Sequence, residues 1–509
     1  MALADDHDEY AKLVRGMNPP RVVIDNEASD DATVIRVDSV NSHGTLLAVV
    51  QVIADLNLVI RKAYFSSDGS WFMDGECATR PSRLLVLLAL RPISAESKKF
   101  RFFVFPLLSA VFNVTDRDGN KVLDTPTISY IQTVIQSKIW CPDDGVFHCD
   151  EEFLRIQFVV CMQTLEAEDC YYPEVRNTVG IVPSEEYTSI ELTGTDRPGL
   201  LSEVCAVLAG MQCAVRSAEL WTHKTRVAAV VQVTDAAKAA GGAIEDKARI
   251  ADISRRLDNL LRGQNGVRAA AAASLTHKER RLHQMMFEDR DYGAAGRPDP
   301  RTEVSVTHCA ERGYTVVVVR CRDRPKLLFD TVCTITDMQY VVHHGTVSSE
   351  PGGGAYQEYY IRHVDGHPVS SEAERRRVVQ CLEAAVERRT ADGLELEVRT
   401  DDRAGLLSDV TRIFRENGLT IRRAEISSED GEAVDTFYLS DPQGHPVEAK
   451  TIEAIRAQIG EAALRVKNNP LADDGGSSSE VAAGSTAFLF GNLFKFYRPF
   501  QNFGLIKLY

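Results

Sequence analysis

Four short runs of β-branched or alternating apolar residues recur along the chain, and each is followed by apolar residues at helical spacing. Runs of this length and pattern are typical of strands. They lie at 33–37, 189–192, 314–319 and 394–398. The stripe that follows the last run consists of Leu406, Leu407, Val410, Ile413 and Phe414. Because these positions share one face of a helix, the pattern predicts a strand and then a core-facing helix in each copy.

The residues after each helix predict a hairpin and a second helix. In two copies a second strand, at 214–220 or 420–426, leads through a hairpin into a third strand, at 227–233 or 435–439. The order is strand, helix, strand, strand, helix, with a last strand where room exists. It predicts an α+β fold of four tandem ferredoxin-like βαββαβ units, in which antiparallel sheets carry their helices on one face.

The loop between the first strand and the first helix carries a recurring motif. Its clearest copy is Asp196-Arg197-Pro198-Gly199-Leu200, and further copies lie at 322–332, 402–410 and 41–49. One Asp-Arg-Pro-Gly is an ordinary turn, whereas four spaced copies after the same strand pattern indicate an internal repeat. The unit resembles the ACT domain, a small-molecule-sensing module. The whole chain resembles the plant ACT-domain-repeat proteins, also outside the repeats at 17–25 and 488–495.

The spacing of the motifs is uneven. The interval from Gly44 to Gly199 is about twice the interval from Lys326 to Gly405. Removing two segments restores a uniform repeat, so we interpret both as translated non-coding sequence, a hypothesis that fails if the dominant mature transcript contains them. The predicted divisions are repeat one (33–133, interrupted by the first segment, 75–110), the second segment (134–163), repeat two (187–275), a linker (276–312), repeat three (313–392), repeat four (393–468) and a flexible tail (469–509). The linker is predicted to divide the chain into two pairs of repeats, and repeat three has little room for a last strand.

Composition narrows the class of protein. The formal net charge of −15 disfavours nucleic acid as a partner. Eleven cysteines, an odd number without the spacing of a disulfide framework, suit a reducing compartment. The acidic start lacks the apolar segment of a signal peptide, and the apolar run at 84–90 is too short to span a bilayer. These features predict an intracellular, soluble protein of the cytoplasm or nucleus that does not contact the membrane.

The motif loop is the candidate binding site. Backbone amides at the start of a helix favour an anion such as a carboxylate, and a glycine there allows a ligand to approach the backbone closely. The resemblance to ACT domains implies an amino acid between this loop and the second strand of a paired domain, with the loop aspartates near its ammonium group. The candidate ligand-binding residues are Asp196, Arg197, Pro198, Gly199, Leu200, Asp402, Gly405, Leu406, Asp323 and Gly44. The alternative is that each motif is only a turn and a helix start.

Two copies depart from the motif. Lys326 replaces the glycine in repeat three, and repeat one has Asn41 and His43 where repeat two has the aspartate and the proline. Repeat two keeps the whole motif, so its loop is the strongest candidate among the four.

The sequence predicts no catalytic residues, no metal and no cofactor. It contains no P-loop, G-x-S-x-G elbow, HExxH helix or dinucleotide fingerprint. Cys141, His148, Cys149 and Cys161 lack the paired spacing of a zinc site. An enzymatic interpretation therefore has no motif to support it.

Two hypotheses about function remain open. The first is a non-catalytic amino-acid-binding regulatory protein, for which the resemblance makes glutamine the first candidate ligand. Its ACT units would pair within the chain or in a homodimer, and it would act on a regulated protein that the sequence does not identify. The second is a protein-interaction scaffold whose ligand pockets are vestigial.

Overall fold

A computed structural model describes most of the chain. The described residues are 20–67, 87–94, 97–105, 107–140, 178–183, 186–238, 241–261, 277–293, 301–350, 352–389, 393–429 and 431–468. The strands are β1 (Arg21–Asp25), β2 (Thr33–Val40), β3 (Val59–Ser66), β4 (Leu87–Ser94), β5 (Ser97–Phe105), β6 (Leu107–Thr115), β7 (Thr178–Pro183), β8 (Thr188–Thr195), β9 (Cys213–His223), β10 (Arg226–Asp235), β11 (Glu303–Cys309), β12 (Tyr314–Arg322), β13 (Tyr340–Glu350), β14 (Gly354–His363), β15 (Leu394–Asp401), β16 (Thr420–Glu429), β17 (Glu432–Ser440) and β18 (Leu464–Asn468). The α-helices are α1 (Thr45–Asp55), α2 (Thr125–Trp140), α3 (Leu200–Gly210), α4 (Lys247–Leu261), α5 (Lys278–Glu288), α6 (Leu327–Asp337), α7 (Glu372–Glu387), α8 (Leu406–Glu416) and α9 (Ala449–Ile459).

Most of the strands form two large antiparallel sheets. Their orders are β1-β2-β6-β3-β13-β14-β12-β11 and β18-β15-β17-β16-β9-β10-β8-β7, and β4 and β5 form a separate hairpin. Each repeat supplies its first, third and second strands in this spatial order, as in β15-β17-β16 of repeat four. This arrangement confirms the predicted α+β class with ferredoxin-like antiparallel units.

Each large sheet joins two repeats that are not neighbours in the sequence. β3 of repeat one pairs with β13 of repeat three, and β9 of repeat two pairs with β16 of repeat four. We call these two strand pairs the β3–β13 seam and the β9–β16 seam. Phe65 lies opposite Gly345 at the β3–β13 seam, and Leu220 lies opposite Ala424 at the β9–β16 seam. The first helices also pack in pairs, α1 against α6 and α3 against α8. The prediction that the linker separates two pairs of repeats is therefore wrong, because the pairs interleave.

The outer edge of each unit is covered by a strand. In three of the four units this strand precedes the unit in the sequence and does not follow it. In repeat four the last strand, β18, pairs with the first strand, β15, as predicted for a βαββαβ unit. In the other three repeats a strand that precedes the unit takes this place, so that β1 lies beside β2, β7 beside β8 and β11 beside β12. The βαββαβ order thus holds for repeat four, and β11 covers the edge that the sequence left open in repeat three.

The predicted linker contains a helix that packs against a sheet. Leu282 and Met286 of α5 pack with Trp221 and Val230. The residues next to Trp221 and Val230 in the sequence point to the opposite face of the sheet, towards α3 and α4, because side chains alternate along a strand. α5 also contacts α6 of repeat three, so it lies between the two pairs of repeats. The linker therefore holds the pairs together as part of the core.

Buried ion pairs complete this junction. The Arg388 guanidinium, which follows α7, donates from Nε to Asp291 Oδ2 at 2.7 Å and from Nη2 to Asp291 Oδ1 at 2.6 Å. His223 of β9 lies 2.9 Å from the same Oδ2 through its Nδ1. Burial alone would raise the pKa of Asp291, but the Arg388 charge lowers it well below its usual range. These contacts connect repeat two, the linker and repeat three.

The two segments interpreted as foreign are partly described. Strand β6 begins at Leu107, so residues 107–110 belong to a sheet in which Leu108 and Ala110 are buried. Helix α2 continues through the predicted second boundary to Trp140. In this structure the ends of both segments therefore take part in repeat one.

Candidate functional site

The four motif loops share one backbone conformation. The residue that precedes each first helix has a left-handed φ, which is 84° at Gly44, 84° at Gly199, 63° at Lys326 and 83° at Gly405. Glycine adopts this conformation readily, whereas a side chain makes it costly. The motif glycine is thus explained by the turn from strand into helix, and Lys326 adopts the same turn despite its side chain.

Each loop lies at the seam between paired repeats. At the β9–β16 seam the repeat-two loop faces repeat four, and the repeat-four loop faces repeat two. At the β3–β13 seam the repeat-one loop faces repeat three, and the repeat-three loop faces repeat one. The partner repeat contributes the end of its first helix and the start of its second strand. This geometry gives four related positions, one beside each loop, which differ in their free space and in the side chains that line them.

The repeat-four loop faces a larger cavity than the repeat-two loop or the repeat-three loop does. About 140 Å³ there is open to a water-sized sphere, whereas one water needs roughly 10–15 Å³ by this measure. Repeat two contributes Cys205, Ala209, Cys213, Ala214 and Val215, and repeat four contributes Asp402, Arg403, Ala404, Gly405, Leu406, Leu407, Ser408, Ile426, Ser427, Ser428, Ala433 and Asp435. We call this space the repeat-four cavity. Its size suits a small molecule of several heavy atoms.

The repeat-four cavity is lined by groups that favour ligand charges of both signs. The start of α8 presents backbone N–H groups and the positive end of the helix dipole. Asp402 and Asp435 supply carboxylates, and Asp402 accepts a hydrogen bond of 2.5 Å from the Ser428 hydroxyl. Burial raises the pKa of Asp435 to about 7, and the Asp402 carboxylate adds to this rise. One cavity therefore offers anion-binding and cation-binding groups together.

The repeat-two loop, predicted as the strongest candidate, has little free space. Only about 20 Å³ is open there to a water-sized sphere. The Arg415 side chain crosses the loop so closely that a methyl group at Gly199 would lie 2.7 Å from its Cδ. Arg197 is engaged by Glu203 at 2.9 Å, and burial raises the pKa of Asp196. The whole motif is thus present in repeat two, but a ligand would have to displace Arg415.

The repeat-three loop is also nearly filled, with about 30 Å³ open to a water-sized sphere. The Asp323 carboxylate accepts a hydrogen bond of 2.6 Å from the Ser349 hydroxyl, which matches the serine contact of the loop aspartate in repeat four. The Lys326 ammonium pairs with the carboxylate of Glu279 on α5. The residue that departs from the motif thus fastens this loop to the linker helix.

The repeat-one loop uses its own side chains to contact repeat three. The Asn41 amide donates a hydrogen bond of 3.1 Å to the Val342 carbonyl oxygen. The Nε2 of His43 lies 2.9 Å from the Thr336 carbonyl oxygen, and burial lowers the pKa of this imidazole. Gly44 therefore starts a helix, and the two residues that depart from the motif join this loop to repeat three.

Metal binding finds no support in the described residues, where no three His, Cys, Asp or Glu side chains are placed to hold an ion. Cys141, His148, Cys149 and Cys161 lie outside the described residues. Within the described part of the chain, no helix is long and apolar enough to cross a bilayer.

Comparison with known proteins adds a family context. The profile of the ACR family N-terminal ACT domain matches residues 28–77, and ACT domain profiles match 186–253 and 395–460. The ACT domain-containing protein ACR6 of Arabidopsis thaliana is 52% identical over 469 residues, which cover 91% of this chain and 92% of that protein. ACT domain-containing protein ACR4 of the same plant is 48% identical over 521 aligned residues, which cover 100% of both chains. A bifunctional uridylyltransferase/uridylyl-removing enzyme of Haemophilus influenzae (strain PittEE) is 24% identical over 181 residues, which cover 30% of this chain and 21% of the enzyme.

Proposed function

Because this chain belongs to the ACR family of ACT domain-containing proteins, we propose that it is a non-catalytic regulatory protein that binds a free amino acid. The principal site in this proposal is the repeat-four cavity. The observation that carries it is the open space where the motif loop of repeat four faces repeat two. The candidate residues Asp402, Gly405 and Leu406 line this space.

A zwitterionic amino acid fits the distribution of charge in the repeat-four cavity. Its carboxylate would accept hydrogen bonds from the N–H groups at the start of α8, where the helix dipole favours an anion. Its ammonium group would lie near the carboxyl groups that line the same cavity. Glutamine is the first candidate ligand, carried over from the resemblance of the chain to ACT-domain sensors. Such a transfer from family to ligand is an analogy.

The position of the cavity at a seam suggests how binding would be transmitted. A ligand that contacts both repeat two and repeat four favours the packing in which the cavity is complete. It shifts the equilibrium only by the difference between its affinities for two states. The regulated protein would then recognise the packing that the ligand stabilises.

The rival function, an interaction scaffold with vestigial pockets, has support at the other seam. Asn41 and His43 of the repeat-one loop contact repeat three, and Lys326 of repeat three pairs with the linker helix. The pair formed by repeats one and three would then be structural. We propose that this pair presents the surface for the partner protein while the other pair binds the ligand.

The compartment and the absence of catalysis also belong to the proposal. The described cysteines Cys205, Cys213, Cys309, Cys321, Cys333 and Cys381 are free thiols, which suits a reducing compartment such as the cytoplasm or nucleus. The relatives are named for their ACT domains, and the chain offers no catalytic motif, so regulation is the role that fits best.

A thermal-shift screen against the common amino acids tests binding. A ligand that binds only the folded state raises its stability by about 2.7 kcal/mol at a hundredfold excess over Kd. Ala209→Leu adds a larger side chain to the cavity wall, at an exposed helix position where substitutions change stability by about 0.5 kcal/mol or less. We expect a selective, saturable shift for the unmodified protein and none for Ala209→Leu.

Ala206→Leu is the matched control, because Ala206 is exposed on the same helix and does not line the cavity. Its ligand-induced shift should equal that of the unmodified protein. No shift with any amino acid at millimolar concentration, or equal shifts for both leucine variants, would favour the scaffold.

A further inference from the structure

The repeat-four cavity contains a buried carboxyl group with a free oxygen. Asp435 of β17 is 2% exposed, and it accepts a hydrogen bond from the Ser427 backbone N–H. Its Oδ1 has no hydrogen-bond partner among the described residues. A buried polar atom without a partner is costly, and such atoms in folded proteins call for an explanation. A ligand in the cavity that Asp435 lines would supply the missing partner.

The loop aspartates are less suited to this task. Asp402 is exposed, and its carboxylate is engaged by the Ser428 hydroxyl. The same contact occurs in repeat three between Asp323 and Ser349. A contact that recurs at the nearly filled repeat-three loop indicates that the loop aspartate and its serine shape the turn. This function does not require a ligand.

The buried carboxyl is particular to repeat four among the three related cavities. Asp435 lies opposite Val398, four residues before the loop aspartate. The same place in repeat three is taken by Gln357, whose side-chain oxygen accepts a hydrogen bond of 2.8 Å from the Tyr359 hydroxyl. In repeat two it is taken by Ala229. The unpaired acid is therefore found in the largest of these three cavities.

We infer that Asp435 is the acceptor for the α-ammonium group of an amino acid bound in the repeat-four cavity, and that the loop residue Asp402 is not. This inference rests on the proposed function and assigns a recognition residue within it. The carboxylate of the ligand lies at the start of α8, where a side chain at Gly405 would meet no atom within 4 Å. The cavity thus selects an amino acid over the same molecule without its amino group.

Binding is expected to depend on pH with a defined sign. The groups that face Asp435 are Asp402 and Arg403 from the loop, Cys205 from α3 and Cys213 from β9, and Arg403 is paired with Asp409. Burial raises the pKa of Asp435 to about 7 in the free protein. An ammonium group favours the ionised carboxylate and lowers this pKa on binding. Affinity should therefore rise with pH up to about 7, by at most about tenfold per unit, and then level off.

Titration calorimetry with glutamine and with glutaramate, which is glutamine without its α-amino group, tests the assignment. If the screen identifies another amino acid, that amino acid and its own deaminated analogue replace this pair. We expect Asp435→Asn to weaken binding roughly 10- to 100-fold, the range for losing a hydrogen bond to a charged group. Asparagine has nearly the same shape and carries no buried charge, so this variant should fold. Glu432→Gln, the matched control, neutralises an exposed carboxylate of the same strand that does not line the cavity, and it should bind within about threefold of the unmodified protein. Asp402→Asn should weaken binding less than Asp435→Asn does.

The outcomes separate this inference from the proposed function. Equal binding by Asp435→Asn and the unmodified protein, equal binding of the analogue, or an affinity independent of pH between 5 and 7 would overturn the role of Asp435 while leaving an amino-acid sensor in place. If no amino acid binds the unmodified protein, both the role and the sensor are refuted.

Discussion

Replacing Arg388 with methionine is expected to lower the free energy of unfolding by about 3–5 kcal/mol, the usual cost of breaking a buried ion pair from one side. The Arg388 side chain is 1% exposed and the Asp291 side chain is fully buried. The substitution leaves the Asp291 carboxylate without its bidentate partner, while the His223 contact remains. Urea unfolding, with the slope checked for unchanged cooperativity, measures this loss.

An exposed ion pair provides the control for this prediction. Arg255 pairs with Asp252 on α4, and its side chain is 72% exposed. Arg255→Met should cost no more than about 1 kcal/mol, because water screens such pairs. If Arg388→Met were as mild as the control, the linker would not join the two pairs of repeats in the way described.

Gly345→Val is expected to destabilise the seam between repeats one and three by about 3 kcal/mol, at the upper end of the usual cost of overpacking. A methyl group at Gly345 would lie 2.7 Å from the ring of Phe65 and 3.0 Å from the Glu358 carbonyl oxygen. The Phe65 ring is 2% exposed and packs against Phe112, so it has no free space to enter. Most of the cost arises from the contact with Phe65 of repeat one, which is closer than the contact with Glu358 of the same repeat. Backbone strain adds nothing, because Gly345 does not have a left-handed φ.

A double-mutant cycle with Phe65→Ala distinguishes this contact from a local strand defect. Phe65→Ala alone should cost about 3–5 kcal/mol through the cavity that it creates. In that background Gly345→Val should cost less than about 1 kcal/mol, which corresponds to a coupling energy of at least about 2 kcal/mol between residues in contact. Additive effects would mean that β3 and β13 do not pair in solution.

The spacing of apolar residues along the chain predicted the individual repeats, but it did not predict which repeats pair with each other. The alternation in each repeat marks strands and helices because burial of one face imposes period two or period 3.6. The pairing of repeat one with repeat three depends on contacts such as Phe65 with Gly345, between residues far apart in the sequence. Nothing near either residue marks the other as its partner, so the interleaved order could not be inferred.

The stretch at 278–303 was interpreted as a linker because it mixes charged residues with Gly and Pro. Glu279 and His283 are buried in α5, where they pair with Arg389 and Asp330. The apolar residues Leu282 and Met286 lie four positions apart in the same stretch. That spacing is typical of a core-facing helix and was the available signal.

The loops of the candidate site could be predicted from the sequence, whereas the free space beside each loop and the buried acid of the repeat-four cavity could not. Repeat two keeps the whole motif, yet Arg415 of the partner repeat occupies the space beside it. Asp435 has a usable signal, since it lies in step with Ala433 and Phe437 on the inward face of its strand. A charged residue at an inward position is uncommon and indicates a special role.

Hydrogen–deuterium exchange with and without the amino acid found in the screen tests most directly whether one site is shared by repeats two and four. The account predicts slower exchange in two segments that are distant in the sequence, 402–408 at the repeat-four loop and 205–215 at the end of α3 and the start of β9. Both segments line the same cavity. Protection of the two segments should therefore reach half of its maximum at the same ligand concentration. Protection of one segment alone, or of neither, would contradict a site built between the two repeats.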